Sequence, residues 1–137
     1  MKKAIIVGCG RVGSMVAQAL AEKGWSVAVI DRNPDAFRRL PEDFPGKKIV
    51  GVGIDIDALK AAGIEEADIL VALTNGDNTN AMVAQMARDI FKVPRILARI
   101  NDPLRADTYH ELGIPTVCQT TILTNIILDR ILKEEGE

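Results

Sequence analysis

Lys3-Ala4-Ile5-Ile6-Val7-Gly8-Cys9-Gly10-Arg11-Val12-Gly13 is the stretch that decides the fold of this chain. Lys3 to Val7 reads as a short apolar strand running directly into a glycine-rich turn, which opens an alanine-rich helix. Gly8 permits the tight turn out of the strand, Gly10 lets a pyrophosphate approach the backbone, and Gly13 allows the helix to pack closely on the sheet. The helix N-terminus then offers unpaired N–H groups to an anion. Cys9, Arg11 and Val12 occupy the variable positions of this phosphate loop.

A lone GxGxxG is a weak signal, and the flanking residues strengthen it. Trp25 to Ile30 reads as a second strand ending at Asp31, about 20 residues beyond the loop as a dinucleotide fingerprint requires. A carboxylate there accepts both ribose hydroxyls. The competing reading is that Asp31 caps the next helix through the Asn33-Pro34 turn, which explains the aspartate but not the glycines. Asp31 disfavours a 2′-phosphate, while Arg32 beside it leaves some room for NADP.

A chain of 137 residues fits one domain with a real core and is too short for a nucleotide domain plus a full substrate domain. This counts against a complete dehydrogenase. The net charge of −2 and the mixing of acidic and basic residues along the chain give no basic patch for nucleic acid. No apolar run approaches the roughly 20 residues that span a bilayer, and Met1-Lys2-Lys3 enters a strand without a signal-peptide pattern, so a cytoplasmic protein not inserted in the membrane is expected. Cys9 and Cys118 are far apart and His110 is the only histidine, which argues against a disulfide, a metal site or Cys-His catalysis. Proximity to a helix N-terminus would lower the Cys9 thiol pKa, but a small side chain filling the loop is the simpler reading. His110 reads as a surface residue.

Strands and helices alternate throughout, the pattern of a parallel sheet with helices on both faces. The first helix is expected from about Arg11 to Lys23, packing Val12, Met15, Val16, Ala19 and Leu20 on the sheet and stopping at Gly24. A short helix follows Pro34, and a mobile loop bracketed by Pro41 and Pro45 leads to a third strand, Lys48 to Val52. Asp55 and Asp57 precede a short helix, Ala58 to Ala62, closed by Gly63. The fourth strand, Ile69 to Leu73, is apolar throughout and so central. It opens into the polar cluster Thr74-Asn75-Gly76-Asp77-Asn78-Thr79-Asn80, beside the glycine loop if the sheet is doubly wound in the order 3-2-1-4-5-6.

The next helix carries Met82, Val83, Met86, Ala87, Ile90 and Phe91 at helical spacing as core. A fifth strand, Arg95 to Ile100, a helix from Pro103 to near Gly113, and a short sixth strand, Pro115 to Cys118, complete a six-stranded Rossmann-like unit over residues 1–118. Residues 119–137 are read as a separate C-terminal helix. Between Thr121 and Glu135, Ile122, Leu123, Ile126, Ile127, Leu128, Ile131 and Leu132 cover too wide an arc for one sheet face, so docking against another subunit is favoured over packing on its own domain.

Taken together, Gly8 to Gly13, Asp31, Thr74 to Asn80, Ala98-Arg99-Ile100-Asn101-Asp102-Pro103 and Glu111-Leu112-Gly113 resemble the TrkA-N domain family, also called RCK or KTN domains, over essentially the whole chain. The resemblance implies a cytoplasmic regulator of a potassium channel or transporter, peripheral to the membrane through that partner. It also implies NAD(H), ATP, ADP or AMP as a regulatory ligand, and a homodimer or higher ring using the final helix as a crossover. By the same resemblance Arg11 reaches ligand phosphates, Thr74 and Asn75 border the site, and Arg99 approaches the terminal phosphates, with a solvated Arg11 and a surface ion pair at Arg99 as the plainer readings. In Gly51-Val52-Gly53 the valine stands where the family has an aspartate or asparagine for adenine, which leaves Val52 and Gly53 as an apolar wall and base selectivity open. Gln119, a neutral amide where some members carry a glutamate, weakens any metal site. The family's second, C-terminal lobe does not follow Glu137 in this sequence.

A sensor whose nucleotide biases a dimer or ring, and through it a transporter, is therefore preferred. The alternative is a small NAD-dependent oxidoreductase or the cofactor lobe of one. Against it, Tyr109 has no lysine at short-chain-dehydrogenase spacing and His110 has no evident substrate cleft.

Overall fold

Four consecutive residues of the first strand, Ala4, Ile5, Ile6 and Val7, are each no more than 1% exposed, which requires cover on both faces. The computed structural model, which describes residues 1–136, supplies it. Strands β1 (Lys3–Val7), β2 (Ser26–Asp31), β3 (Lys47–Val50), β4 (Ile69–Ala72), β5 (Arg95–Arg99) and β6 (Thr116–Val117) form one sheet in the order β3-β2-β1-β4-β5-β6. Every pairing is parallel, with Val7 level with both Ile30 and Ala72. This is the doubly wound order expected. Its direction reverses between β1 and β4, which opens a crevice at the carboxyl ends of those strands.

Helices α1 (Arg11–Glu22), α2 (Ile56–Ala61), α3 (Asp77–Asp89), α4 (Pro103–Glu111) and α5 (Gln119–Glu134) are joined by two 3₁₀ segments, Pro34–Arg39 and Ile64–Glu66. On one face Ala17 of α1 and Ala36, Leu40 and Phe44 pack with Ile6, Val29 and Val71. On the other, Leu59 of α2, Val83, Ala84 and Ala87 of α3 and Ala106 of α4 pack with Ile5, Ile30 and Leu70. Alternation along each strand divides the core in two.

The helix faces differ from the sequence expectation in an instructive way. In α1 the buried residues are Gly13, Ser14 and Ala17, while Val12 is 43% and Met15 70% exposed. A Cβ on Gly13 would run into the carbonyl oxygen of Gly8, so the first turn of the helix lies too close to its loop for large side chains. Val16 and Leu20 further along are half-buried against the Ile6 core, as expected. In α3 the buried stripe is Asn80, Ala81, Val83, Ala84 and Ala87, with Met86 and Phe91 at its margin, whereas Met82 and Ile90 are exposed. Alanines again take most of the contact, beside Val83.

The segment between Pro41 and Pro45 is pinned rather than loose, because Phe44 is buried against the first core and Gly46 follows it where a Cβ would strike the Val27 carbonyl. The third strand ends at Val50, which leaves Val52 in the turn after it. Helix α5 has no buried residue, and the apolar positions expected to form its arc are 43–52% exposed. Glu137, the last residue of the expected C-terminal unit, lies outside the described residues.

Candidate functional site

A cleft of about 470 Å³ sits over the carboxyl ends of β1, β2 and β4, within the usual size range of small-ligand sites. Its floor is the glycine loop. Gly8 has φ +106°, and a Cβ there would lie 2.8 Å from the Leu73 carbonyl, so only glycine lets β1 turn beside β4. Gly10 is different, since a Cβ on it meets nothing within 4 Å. The chain's own packing does not require glycine at this position; the free space above it belongs to the cleft.

Gly10 is also the N-cap residue of α1 and provides no side-chain cap, and the first turn of α1 carries no acidic residue. The N–H groups of Arg11, Val12 and Gly13 therefore lack both intrahelical and side-chain acceptors and carry the positive end of the helix dipole. Such an end can seat a phosphoryl or carboxylate group.

Asp31, at the tip of β2, lines the cleft with Arg32 and Asn33. Its Oδ2 accepts the Cys9 N–H at 2.8 Å and its Oδ1 the Asn33 N–H at 2.9 Å. The aspartate thus holds the loop as well as facing the ligand space. Asp31 does not cap the 3₁₀ segment that follows: Asn33 does, through the Asp35 N–H, and Asp31 only braces the turn before it by accepting from Asn33. Cys9 is fully buried in the core, and burial first, then the neighbouring Asp31 carboxylate, raises its thiol pKa.

The opposite wall comes from Thr74, Asn75, Gly76 and Thr79, and the outer end from Gly51, Val52 and Gly53. Val52 is half-exposed at the rim, and Gly53 seats against Val7, where a Cβ would come within 2.5 Å of that side chain. The Thr74 wall is built on Asn80, a residue only 1% exposed. Asn80 Oδ1 accepts from the Thr74 N–H at 2.9 Å and the Thr74 hydroxyl at 2.7 Å, while its Nδ2 donates to the carbonyls of Thr74 and Arg99. Asp77 ties the same wall to the end of β5 by accepting from the N–H groups of Asn101 and Asp102.

The expected loop residues Gly8, Cys9 and Gly10 thus meet Asp31, Arg32, Val52, Gly53, Thr74 and Asn75 in one cleft. Four expected site residues stand apart. Gly13 supports the loop from beneath, and Arg11 and Val12 are exposed on the first turn of α1 outside the lining. Arg99 is also outside it: its Nη2 donates to the Leu73 and Thr74 carbonyls at 2.9 and 2.7 Å, which makes it a brace behind the Thr74 wall rather than a surface ion pair. Conversely, Arg39 lines the cleft although nothing in its sequence neighbourhood marks it. The role of Asn80 was visible only as the last member of the polar cluster after β4.

The TrkA-N domain model matches residues 4–120. A Trk system potassium uptake protein TrkA from Streptomyces coelicolor is 49% identical over 133 residues, covering 97% of this chain and 60% of that protein. The chain thus spans about three-fifths of that relative's length. Among solved structures, the Kef C-terminal domain of Shewanella denitrificans in its AMP-bound form superposes with a TM-score of 0.82 at 25% identity, covering 99% of this chain and 83% of that one. The GsuK channel bound to NAD superposes with a TM-score of 0.83 at 26% identity, over 99% of this chain and 24% of that one. With its doubly wound sheet, its glycine loop and this match over nearly its whole length, the chain belongs to the TrkA-N domain family.

Proposed function

We propose that this chain is the nucleotide-sensing lobe of a regulator of potassium transport, and that NAD(H) or an adenine nucleotide is its regulatory ligand rather than a redox cofactor. The observation that carries the reading is the open space above Gly10, facing an α1 terminus with neither cap nor acidic neighbour. The residues fit a nucleotide. Backbone N–H groups of the loop would take a phosphate, Asp31 retains lone pairs for ribose hydroxyls, and Val52 with Gly53 would border the base without a polar side chain to select it. The TrkA relative and the AMP- and NAD-bound neighbours support the ligand class and a potassium-transporting partner.

In this reading residues 1–118 hold the ligand and the helix from residue 119 onward joins a second copy. The protein works in the cytoplasm, peripheral to the membrane through the transporter it regulates; no helix among the described residues is long and apolar enough to cross a membrane. A nucleotide that binds one dimer geometry better than the other shifts their populations by that difference in affinity. The chain is not itself an enzyme in this reading. The test is a thermal-shift panel of NAD, NADH, NADP, ATP, ADP and AMP, since a ligand at about 100 times its Kd adds roughly 2.7 kcal/mol. Stabilisation by at least one of them, abolished by Gly10→Val, is expected; no shift with any refutes the reading. Turnover of NADH with a panel of carbonyl compounds, lost on Asp31→Ala, would establish the oxidoreductase alternative instead.

A further inference from the structure

Resting on that nucleotide reading, we propose that Arg39, not Arg11, is the guanidinium that binds the phosphoryl group on the 5′ carbon of the nucleotide's adenosine. Arg39 ends the 3₁₀ segment Pro34–Arg39 and lines the same cleft as Gly8 and Gly10. Its Nη1 lies 3.5 Å from the carbonyl oxygen of Cys9, which places the cation over the glycine loop. That contact is at the long limit of a hydrogen bond, so little is lost when a phosphate oxygen replaces it.

The local chain holds Arg39 there. Ala36 and Leu40 on either side are 8% and 5% exposed, and Gln18 on α1 donates from Nε2 to the Arg39 carbonyl at 3.2 Å. The base of the side chain is therefore fixed relative to the helix whose N-terminus faces the cleft. Electrostatics point the same way. Its neighbour Arg38 pairs with Asp35, whereas Arg39 has no carboxylate partner among the described residues. The acid within the cleft lining, Asp31, already accepts N–H groups with both oxygens. A guanidinium without a counter-ion beside an uncapped helix terminus is a site with excess positive charge, and a forked donor suits phosphate oxygens. Arg11 and Arg39 are both exposed residues, but only Arg39 lines the cleft and reaches the loop carbonyl, whereas Arg11, although inside the loop motif, lies outside the lining.

Calorimetric titration of the full chain with adenosine, AMP, NAD and NADP tests this, using the wild type, R39Q, R39K and R11Q. R39Q is expected to weaken AMP and NAD about 10-fold or more while leaving adenosine within roughly twofold, and R11Q to move AMP less than about threefold. R39K, which keeps the charge but not the fork, gives an intermediate AMP-to-adenosine affinity ratio and supplies the same readout if R39Q does not fold. Equal weakening of adenosine and AMP by R39Q would mean that Arg39 only shapes the loop, and overturns the assignment. So does an unchanged AMP affinity, a loss carried by R11Q instead, or weakening of NADP alone, which would place the contact at a 2′-phosphate. A wild type that binds none of the four ligands overturns the nucleotide reading itself and this assignment with it.

Discussion

Asp31 acts on the protein as well as on any ligand: through the Cys9 N–H it joins the end of β2 to the loop that follows β1. Asp31→Ala leaves that partly buried donor without its acceptor, which costs about 1–3 kcal/mol. Urea denaturation is expected to show this loss in the apo protein, and the same variant to bind nucleotide more weakly. An unchanged unfolding midpoint would mean the loop holds its shape without the carboxylate. Cys9 gives a residue-scale pH signature. Its thiol pKa is raised above the ordinary value of 9.0, so the folded state keeps a proton that the unfolded chain gives up first. The stability this contributes is complete below pH 9.0 and is lost as pH rises from there through the folded-state pKa. Cys9→Ala is expected to flatten the decline in melting temperature in that alkaline window. In the native protein, iodoacetamide is expected to modify half-buried Cys118 before Cys9. Faster labelling of Cys9 would contradict its burial. Glycine spacing announced the loop in the sequence, but the division of labour within it was hidden. Gly8 and Gly13 answer to contacts with Leu73 and with each other, whereas Gly10 answers to empty space.

At the scale of elements, α1 and α3 show why periodicity finds a helix more easily than its buried face. The large apolar side chains Val12, Met15, Met82 and Ile90 are exposed, while glycine, serine, alanine and asparagine, with Val83 as the one larger aliphatic, supply the fully buried positions. A hydrophobic pattern weighs side-chain size, but a helix drawn tightly against a parallel sheet by its phosphate loop accepts small residues first. Asn80 is the plainest case, a polar residue in the buried stripe of α3 because its amide is used on both sides. Asn80→Ala removes the acceptor for the Thr74 N–H and the donor to two carbonyls, a loss of about 3 kcal/mol expected in urea denaturation. The Thr74 to Gly76 amides are expected to exchange faster with deuterium in this variant. Unaltered exchange there would mean the wall is held by Arg99 and Asp77 alone. Asn80→Asp is expected to be no better, since the carboxylate keeps the acceptor but loses both donated bonds.

For the whole molecule, the distinctive element is α5, a helix of 16 residues with none buried. So many half-exposed isoleucines and leucines on one element are more apolar surface than an isolated helix usually leaves to water. In the proposed dimer they meet a second copy. Light scattering on the eluted protein is expected to give about twice the 14.9 kDa chain mass, and Ile126→Glu combined with Ile127→Glu to return it to 14.9 kDa with the nucleotide cleft intact. A wild type that elutes as a monomer would leave α5 without its proposed partner.

The sequence by itself determined the alternation of strands and helices, the parallel sheet, the position of the phosphate loop and the pairing of that loop with Asp31. These follow from local chemistry, namely apolar runs, turn glycines and a carboxylate at a set distance along the chain. Only the tertiary structure decided which of the marked residues share a cleft. It brought Arg39 over the loop from a segment 30 residues beyond Cys9, left Arg11 outside, and turned Arg99 inward as a brace. Side-chain direction depends on how closely each helix approaches the sheet and which carbonyls lie free at strand ends, and neither is a property of neighbouring residues in sequence.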